Sequence, residues 1–101
     1  MNVTTEISDE LNVLQQHFPE WSVIEGKLSA EYTFDGFRQA CAFLTMVAIE
    51  SEVLNHHPTY THAFKRVNIT LCTHSVGNKL TNLDVRLAQY IGRAAQMLRR
   101  L

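Results

Sequence analysis

Four of the five histidines in the chain fall between residues 56 and 74: His56, His57, His62 and His74. Imidazole is the side chain whose unperturbed pKa, about 6.5, lets it give or take a proton near neutrality. His56 and His57 are adjacent, and Pro58 follows them. Proline pushes the residue before it out of the helical region, so His57 belongs to an extended segment that breaks the preceding helix. Two imidazoles at such a junction, with His74 at the end of a later strand, suit three uses: ordinary surface side chains, a transition-metal site, or general acid–base catalysis. The metal reading is disfavoured because neighbours on an extended segment point to opposite sides. The chain also lacks both the H-x-x-x-H and the C-x-x-C spacing. Periodicity alone does not lift catalysis above the surface reading.

The elements that must position these side chains can be read along the chain. Leu11, Leu14 and Phe18 give residues from Thr5 to Gln16 a partial apolar stripe, and Pro19 stops that helix. Trp21 and Val23 alternate with polar neighbours, Gly26-Lys27 makes a turn, and Leu28, Ala30, Tyr32 and Phe34 alternate in the next strand. Asp35 is a natural N-cap for a helix to Leu54. That helix is apolar on most sides, which predicts cover on most sides, in a chain this small by a second subunit. Val67, Ile69 and Leu71 mark a strand that Thr73 and His74 close, after a turn near Lys65-Arg66. Thr81 caps the last helix, with Asp84 three residues on as a capping box. Leu87, Ile91 and Leu98 supply its stripe. The order α-β-β-α-β-β-α, with short antiparallel strands and helices on one face, is an α+β architecture.

A chain of 101 residues with 46% hydrophobic side chains is a single domain, residues 1–101, with a modest core. Cys41 and Cys72 lie in apolar stretches and read as reduced thiols. The first ten residues have no basic or apolar run of a signal peptide, and no stretch approaches about 18 apolar residues. A soluble cytoplasmic protein is expected, or a nuclear one in a eukaryote, with no membrane partner. Residues 1–26 carry no Lys or Arg, whereas Lys65, Arg66, Lys79, Arg86, Arg93, Arg99 and Arg100 face one acid, Asp84, in the last third. Direct nucleic-acid binding is not expected from this asymmetry. The last arginines complement a helix dipole, and no aromatic stacking platform accompanies them.

The stretch Glu52-Val53-Leu54-Asn55-His56-His57-Pro58, then Tyr60, then Val67 to Leu71, Thr73-His74 and Asp84 closely resembles the signature of the pterin-4a-carbinolamine dehydratases. The resemblance reaches back through Trp21, the strand from Leu28 to Phe34, Asp35, Phe37, Ala40 and Phe43, and forward into the last helix. It covers about four fifths of the chain. Three features depart from the pattern. Tyr60 stands where the family most often has Trp. Thr61-His62-Ala63-Phe64 replaces a usual Phe-Asn-Val-Tyr. The loop from His74 to Asp84 is one residue longer than in animal members.

The resemblance implies a four-stranded antiparallel sheet with three helices on one face, and a homodimer or homotetramer. It implies dehydration of 4a-hydroxytetrahydrobiopterin to quinonoid dihydropterin and water, with the pterin as substrate and no cofactor or metal. His56, His57 and His74 match the family's catalytic histidines. Glu52, Asn55, Pro58, Thr73 and Asp84 match positions that line or support its pterin pocket, although Asp84 reads equally well as a helix-capping acid. His62 is read as a solvated strand residue. A transcription-factor partner is the rival implication, because animal members also serve as dimerisation cofactors of a homeodomain protein. The presence of all three histidines favours catalysis.

Overall fold

A computed structural model describes residues 2–99. The chain folds as α1 (Ser8–His17), β1 (Ser22–Ile24), β2 (Lys27–Thr33), α2 (Phe37–Leu54), β3 (Thr59–Ala63), β4 (Arg66–Leu71) and α3 (Asn82–Arg99). The strands form one antiparallel sheet in the order β1-β2-β4-β3. The α+β order expected from the alternation is present.

Period-two burial explains the sheet. Leu28, Ala30 and Tyr32 of β2 and Val67, Ile69 and Leu71 of β4 point to the core, and Ala30 sits opposite Ile69. The other face carries Glu31, Thr33 and Asn68, all exposed. Side chains from one sheet face therefore pack on the helices. From α2 come Ala40, Phe43 and Val47, and from α3 Leu87, Ile91, Ala95 and Leu98. Phe43 lies against Tyr32 and Phe34, with ring centroids 5.2 and 4.9 Å apart. The fully buried Tyr32 donates its hydroxyl to Glu20 at 2.6 Å. Burial, and then the Glu20 carboxylate, push its phenol far above the ordinary tyrosine range. Phe18, just past α1, covers Gly92 of α3 so closely that a Cβ there would run into the ring.

Several local expectations are corrected. Helix α1 begins at Ser8 and not at Thr5. Thr4 is instead held against the start of α3, where its N–H donates to Asn82 Oδ1 and its carbonyl accepts the Asn82 N–H. The first hairpin turns at Glu25-Gly26, both at positive φ, and Lys27 already pairs with Ile24. The second turns at Phe64-Lys65, because Arg66 pairs with Ala63. The N-cap of α2 is Gly36, with no side-chain cap, and Asp35 is a bend residue. Strand β4 ends at Leu71. His74 therefore does not close a strand but opens a single 3-10 turn, His74–Val76.

Helix α2 buries one face within the chain, while Phe37, Ile49 and Val53 are each more than half exposed. His62 is not simply solvated. It is half-buried, stacked on Phe37 at 5.4 Å, and its Nε2–H donates to the Phe64 carbonyl. Cys41 is half-buried and Cys72 buried, both as free thiols. No described helix is long and apolar enough to cross a membrane. Arg99 lies over the Tyr32 ring at 5.4 Å, and Arg100 is outside the described residues.

Candidate functional site

Helix α2 ends by a left-handed residue. Asn55 has φ 49° and ψ 46°, its N–H bonds to the Glu52 carbonyl, and the His56 N–H bonds to the Ser51 carbonyl. This is the Schellman closure of a helix, in which asparagine tolerates the left-handed conformation better than most residues. The next residues run into β3 in an extended line ahead of Pro58. Alternation then sends the two histidines apart. His56 turns inward and is 7% exposed, whereas the His57 side chain is 55% exposed.

The inward imidazole meets a polar cluster built into the core. Among the described residues, the buried polar side chains are Ser51, His56, Thr73, Thr81 and Asp84. Buried polar groups need partners, and these have them. The Asp84 carboxylate accepts His56 Nε2–H at 2.5 Å on Oδ1, and Thr73 Oγ1–H at 2.8 Å and the Thr81 N–H at 2.9 Å on Oδ2. Thr73 Oγ1, committed as a donor to Asp84, accepts from the Thr81 hydroxyl at 2.7 Å. The Thr81 oxygen accepts the Leu83 N–H at 3.2 Å. The Thr73 and Thr81 hydroxyls each have a fixed direction, and the run ends on His56. Because a carboxylate only accepts, His56 must carry its proton on Nε2. Asp84 is thus both the helix-capping acid expected from Thr81-x-x-Asp84 and the anchor of an imidazole.

The other two imidazoles are tethered differently. His57 Nε2–H donates to Glu52 Oε1 at 2.7 Å, one turn back on α2, and the Glu52 side chain is 80% exposed. A pair this wet contributes only about 0–1 kcal/mol to stability, so its effect is to aim the ring. His74 is exposed, and its Nδ1 lies 2.7 Å from Asn78 Oδ1. Thr73 N–H bonds to the Lys79 carbonyl and Asn78 N–H to the Thr73 carbonyl, which closes the short loop carrying His74.

An open cleft of about 400 Å³ lies between these elements, lined by Asn55, His56, His57, Pro58, Thr59, Thr73, His74, Ser75 and Leu83. The structure therefore brings together the three histidines with Asn55, Pro58 and Thr73. It does not put Glu52 or Asp84 on the cleft wall. Each instead holds one of the lining histidines. His62 is likewise outside the lining. Sequence reasoning treated Thr81 only as a cap and did not single out Asn78. The capping-box spacing could have drawn Thr81 in, but its contact with Thr73 depends on the loop between them. No three His, Cys, Asp or Glu side chains converge as metal ligands among the described residues.

Comparison with known proteins bears on this geometry. Residues 3–94 match the sequence profile of the family described as pterin 4 alpha carbinolamine dehydratase. The chain belongs to that family. As a pterin carbinolamine dehydratase family member it is 40% identical over 82 residues to a Synechococcus protein, covering 81% of this chain and 87% of that one. It is 42% identical over 84 residues to a Prochlorococcus marinus protein, covering 83% and 86%. Both relatives carry the dehydratase name provisionally. Among solved structures, a transcriptional coactivator/pterin dehydratase from Brucella melitensis superposes with TM-score 0.78 at 30% identity, covering 87% of this chain and 95% of that one. A pterin dehydratase-like protein identified as a RuBisCO assembly factor in the alpha-carboxysome superposes with TM-score 0.66 at 26% identity, covering 78% and 93%.

Proposed function

We propose that this family member dehydrates pterin-4a-carbinolamine to quinonoid dihydropterin by histidine acid–base catalysis, without a cofactor. The observation that carries the reading is one cleft lined by three imidazoles, each with one ring nitrogen tied to a protein oxygen. Fixed tautomers and fixed orientation are what proton transfer in a transition state requires.

The substrate bears a hydroxyl on C4a beside N5–H. The C4a–O bond breaks as an imidazolium gives its proton to the leaving oxygen, which departs as water. The N5 proton passes to a neutral imidazole, and the electrons of the N5–H bond form the C4a=N5 double bond. One imidazolium and one imidazole thus exchange roles, and the balance closes with one water released. His56 and His57 flank the C4a–O bond in this reading, and one of them is the acid. His74 accepts the N5 proton or orients the ring. Each such transfer typically contributes about 10²–10⁴-fold. Asn55, Pro58 and Thr73 shape the wall that receives the pterin, with Glu52 and Asp84 each holding one of its histidines.

The test follows dehydration of freshly generated 4a-hydroxytetrahydropterin by absorbance, with wild type, His57→Ala and His74→Ala, each in the presence of a chelator. Acceleration by the wild type that survives the chelator and drops sharply in both variants is the expected result. Folded wild type with no acceleration over buffer would remove the enzyme reading. A second reading, a partner-binding module, is favoured by the exposed Phe37, Ile49 and Val53 on α2 and by the coactivator and assembly-factor names of the solved relatives. Those apolar side chains equally suit association into a homodimer or homotetramer. A partner-binding role predicts binding lost on Ile49→Asp and untouched by the histidine variants.

A further inference from the structure

We infer that Asn78 is a positioning residue that fixes the proton of His74 on Nδ1 and so presents a bare Nε2 as the proton acceptor of the cleft. The inference rests on the dehydratase reading and assigns within it a role that the three histidines alone leave open.

His74 opens the 3-10 turn, and Gly77 closes it at φ 71° with its N–H on the His74 carbonyl. Asn78 follows at φ 63°, also left-handed. Its N–H bonds to the Thr73 carbonyl at 3.0 Å, while the Thr73 N–H bonds to the Lys79 carbonyl at 3.0 Å. The backbone of Asn78 is therefore pinned to the residue next to His74. From that pinned position its side-chain oxygen reaches His74 Nδ1 at 2.7 Å. An amide oxygen only accepts, so Nδ1 must carry the proton.

Histidine free in water favours the proton on Nε2. The arrangement at His74 is the opposite tautomer, and it needs an acceptor at Nδ1 to hold it. His56 and His57 are tied the other way, each by Nε2–H to a carboxylate. The site therefore offers two imidazoles tied to carboxylates through Nε2–H and one tied to an amide oxygen through Nδ1–H, which leaves a lone pair on its Nε2. His74 lines the cleft, and Nε2 is its ring nitrogen without a protein partner among the described residues. A proton leaving N5 of the pterin is taken by that nitrogen.

Asparagine could occupy position 78 merely because it tolerates positive φ. Glycine tolerates it better, so Asn78→Gly separates the two roles. A backbone role predicts a variant as stable and as active as wild type. The positioning role predicts unchanged thermal stability and unchanged KM, because Asn78 does not line the cleft, with kcat lower by about fivefold, the weight of one ordinary hydrogen bond.

The direct readout is the tautomer of His74 in the 15N-labelled full chain, from two-bond and three-bond proton–nitrogen correlations of the ring. Wild type should show Nδ1–H, Asn78→Gly should move toward Nε2–H, and Asn78→Asp, which keeps an oxygen acceptor, should restore Nδ1–H. A wild-type His74 with its proton on Nε2, or an Asn78→Gly chain with both tautomer and kcat unchanged, overturns the inference. A wild type that does not dehydrate the pterin, but whose His74 tautomer follows the residue at 78, removes the reaction and leaves the Asn78–His74 pairing standing.

Discussion

Asp84→Asn is the substitution that tests the site most sharply, because it changes one atom of a side chain with no solvent exposure. The carboxylate accepts three hydrogen bonds, two on Oδ2 and one on Oδ1. The amide can keep its oxygen only where two donors, the Thr73 hydroxyl and the Thr81 N–H, already point. Its NH2 group then replaces Oδ1 and faces His56 Nε2. That nitrogen must become the acceptor, and the His56 proton moves to Nδ1. Imidazolium, with protons on both nitrogens, is excluded because Nε2–H would confront an amide N–H.

All three bonds to a charged acceptor become neutral ones, each weaker by about 1 kcal/mol. The predicted loss is therefore about 3 kcal/mol, or a fall in melting temperature of about 12–24 °C for a chain of this size. A folded remainder is expected from a typical stability of about 5–15 kcal/mol. Activity should fall as well. If His56 must carry a transferable proton, the loss in kcat is on the order of 10²-fold or more. Circular dichroism melts give the first quantity, and stopped-flow dehydration at a temperature where the variant is folded gives the second. Asp84→Asn with wild-type kcat would show that the tautomer of His56 has no part in the reaction. A melting temperature within about 1 °C of wild type would show that the buried network contributes little to the fold.

Glu52→Gln should leave the melting temperature nearly unchanged, since an exposed pair contributes about 0–1 kcal/mol, yet lower kcat by loosening His57; equal kcat would free Glu52 from any role in aiming that ring. Gly92→Ala should destabilise by about 1–3 kcal/mol, because the added methyl meets the Phe18 ring and the core must shift to admit it; thermal melts check this. Tyr32 keeps its proton in the folded chain above the pH at which an unfolded tyrosine, with pKa about 10, releases it. The folded state then binds more protons than the unfolded one, so this contribution to stability is present below about pH 10 and is lost as pH rises beyond it. Denaturant melts of wild type and Tyr32→Phe across that range should show a steeper alkaline decline for the wild type.

The fold was legible wherever burial follows a period. Leu28, Ala30 and Tyr32 against Val67, Ile69 and Leu71 declare β2 and β4, and the capping box of Thr81 and Asp84 marks the start of α3. Turns were placed one residue late. Lys27 and Arg66 read as turn residues by composition, while the positive φ falls on Glu25, Gly26 and Phe64. Phe64 has no sequence signal for that conformation. The apolar face of α2 suggested burial that the single chain does not supply, because hydrophobicity tells what is coverable and not what covers it. At the site, the three histidines stood out by type and spacing. Their partners did not, since the contacts of Thr73 with Thr81 and of His74 with Asn78 arise from a loop whose course no periodicity encodes.

The left-handed turn at Asn55 also limits how this chain can vary in length. One added residue between Asn55 and Pro58 would exchange the sides on which the two histidines emerge. The ring facing the core would then meet solvent, and its neighbour would face Asp84 from the wrong position. Between Ile24 and Lys27, or between Ala63 and Arg66, an extra residue only enlarges a hairpin tip at the surface. Insertions and deletions among relatives should therefore gather at those two tips and spare the few residues from Glu52 to Pro58, where parity along the backbone separates a buried imidazole from an exposed one.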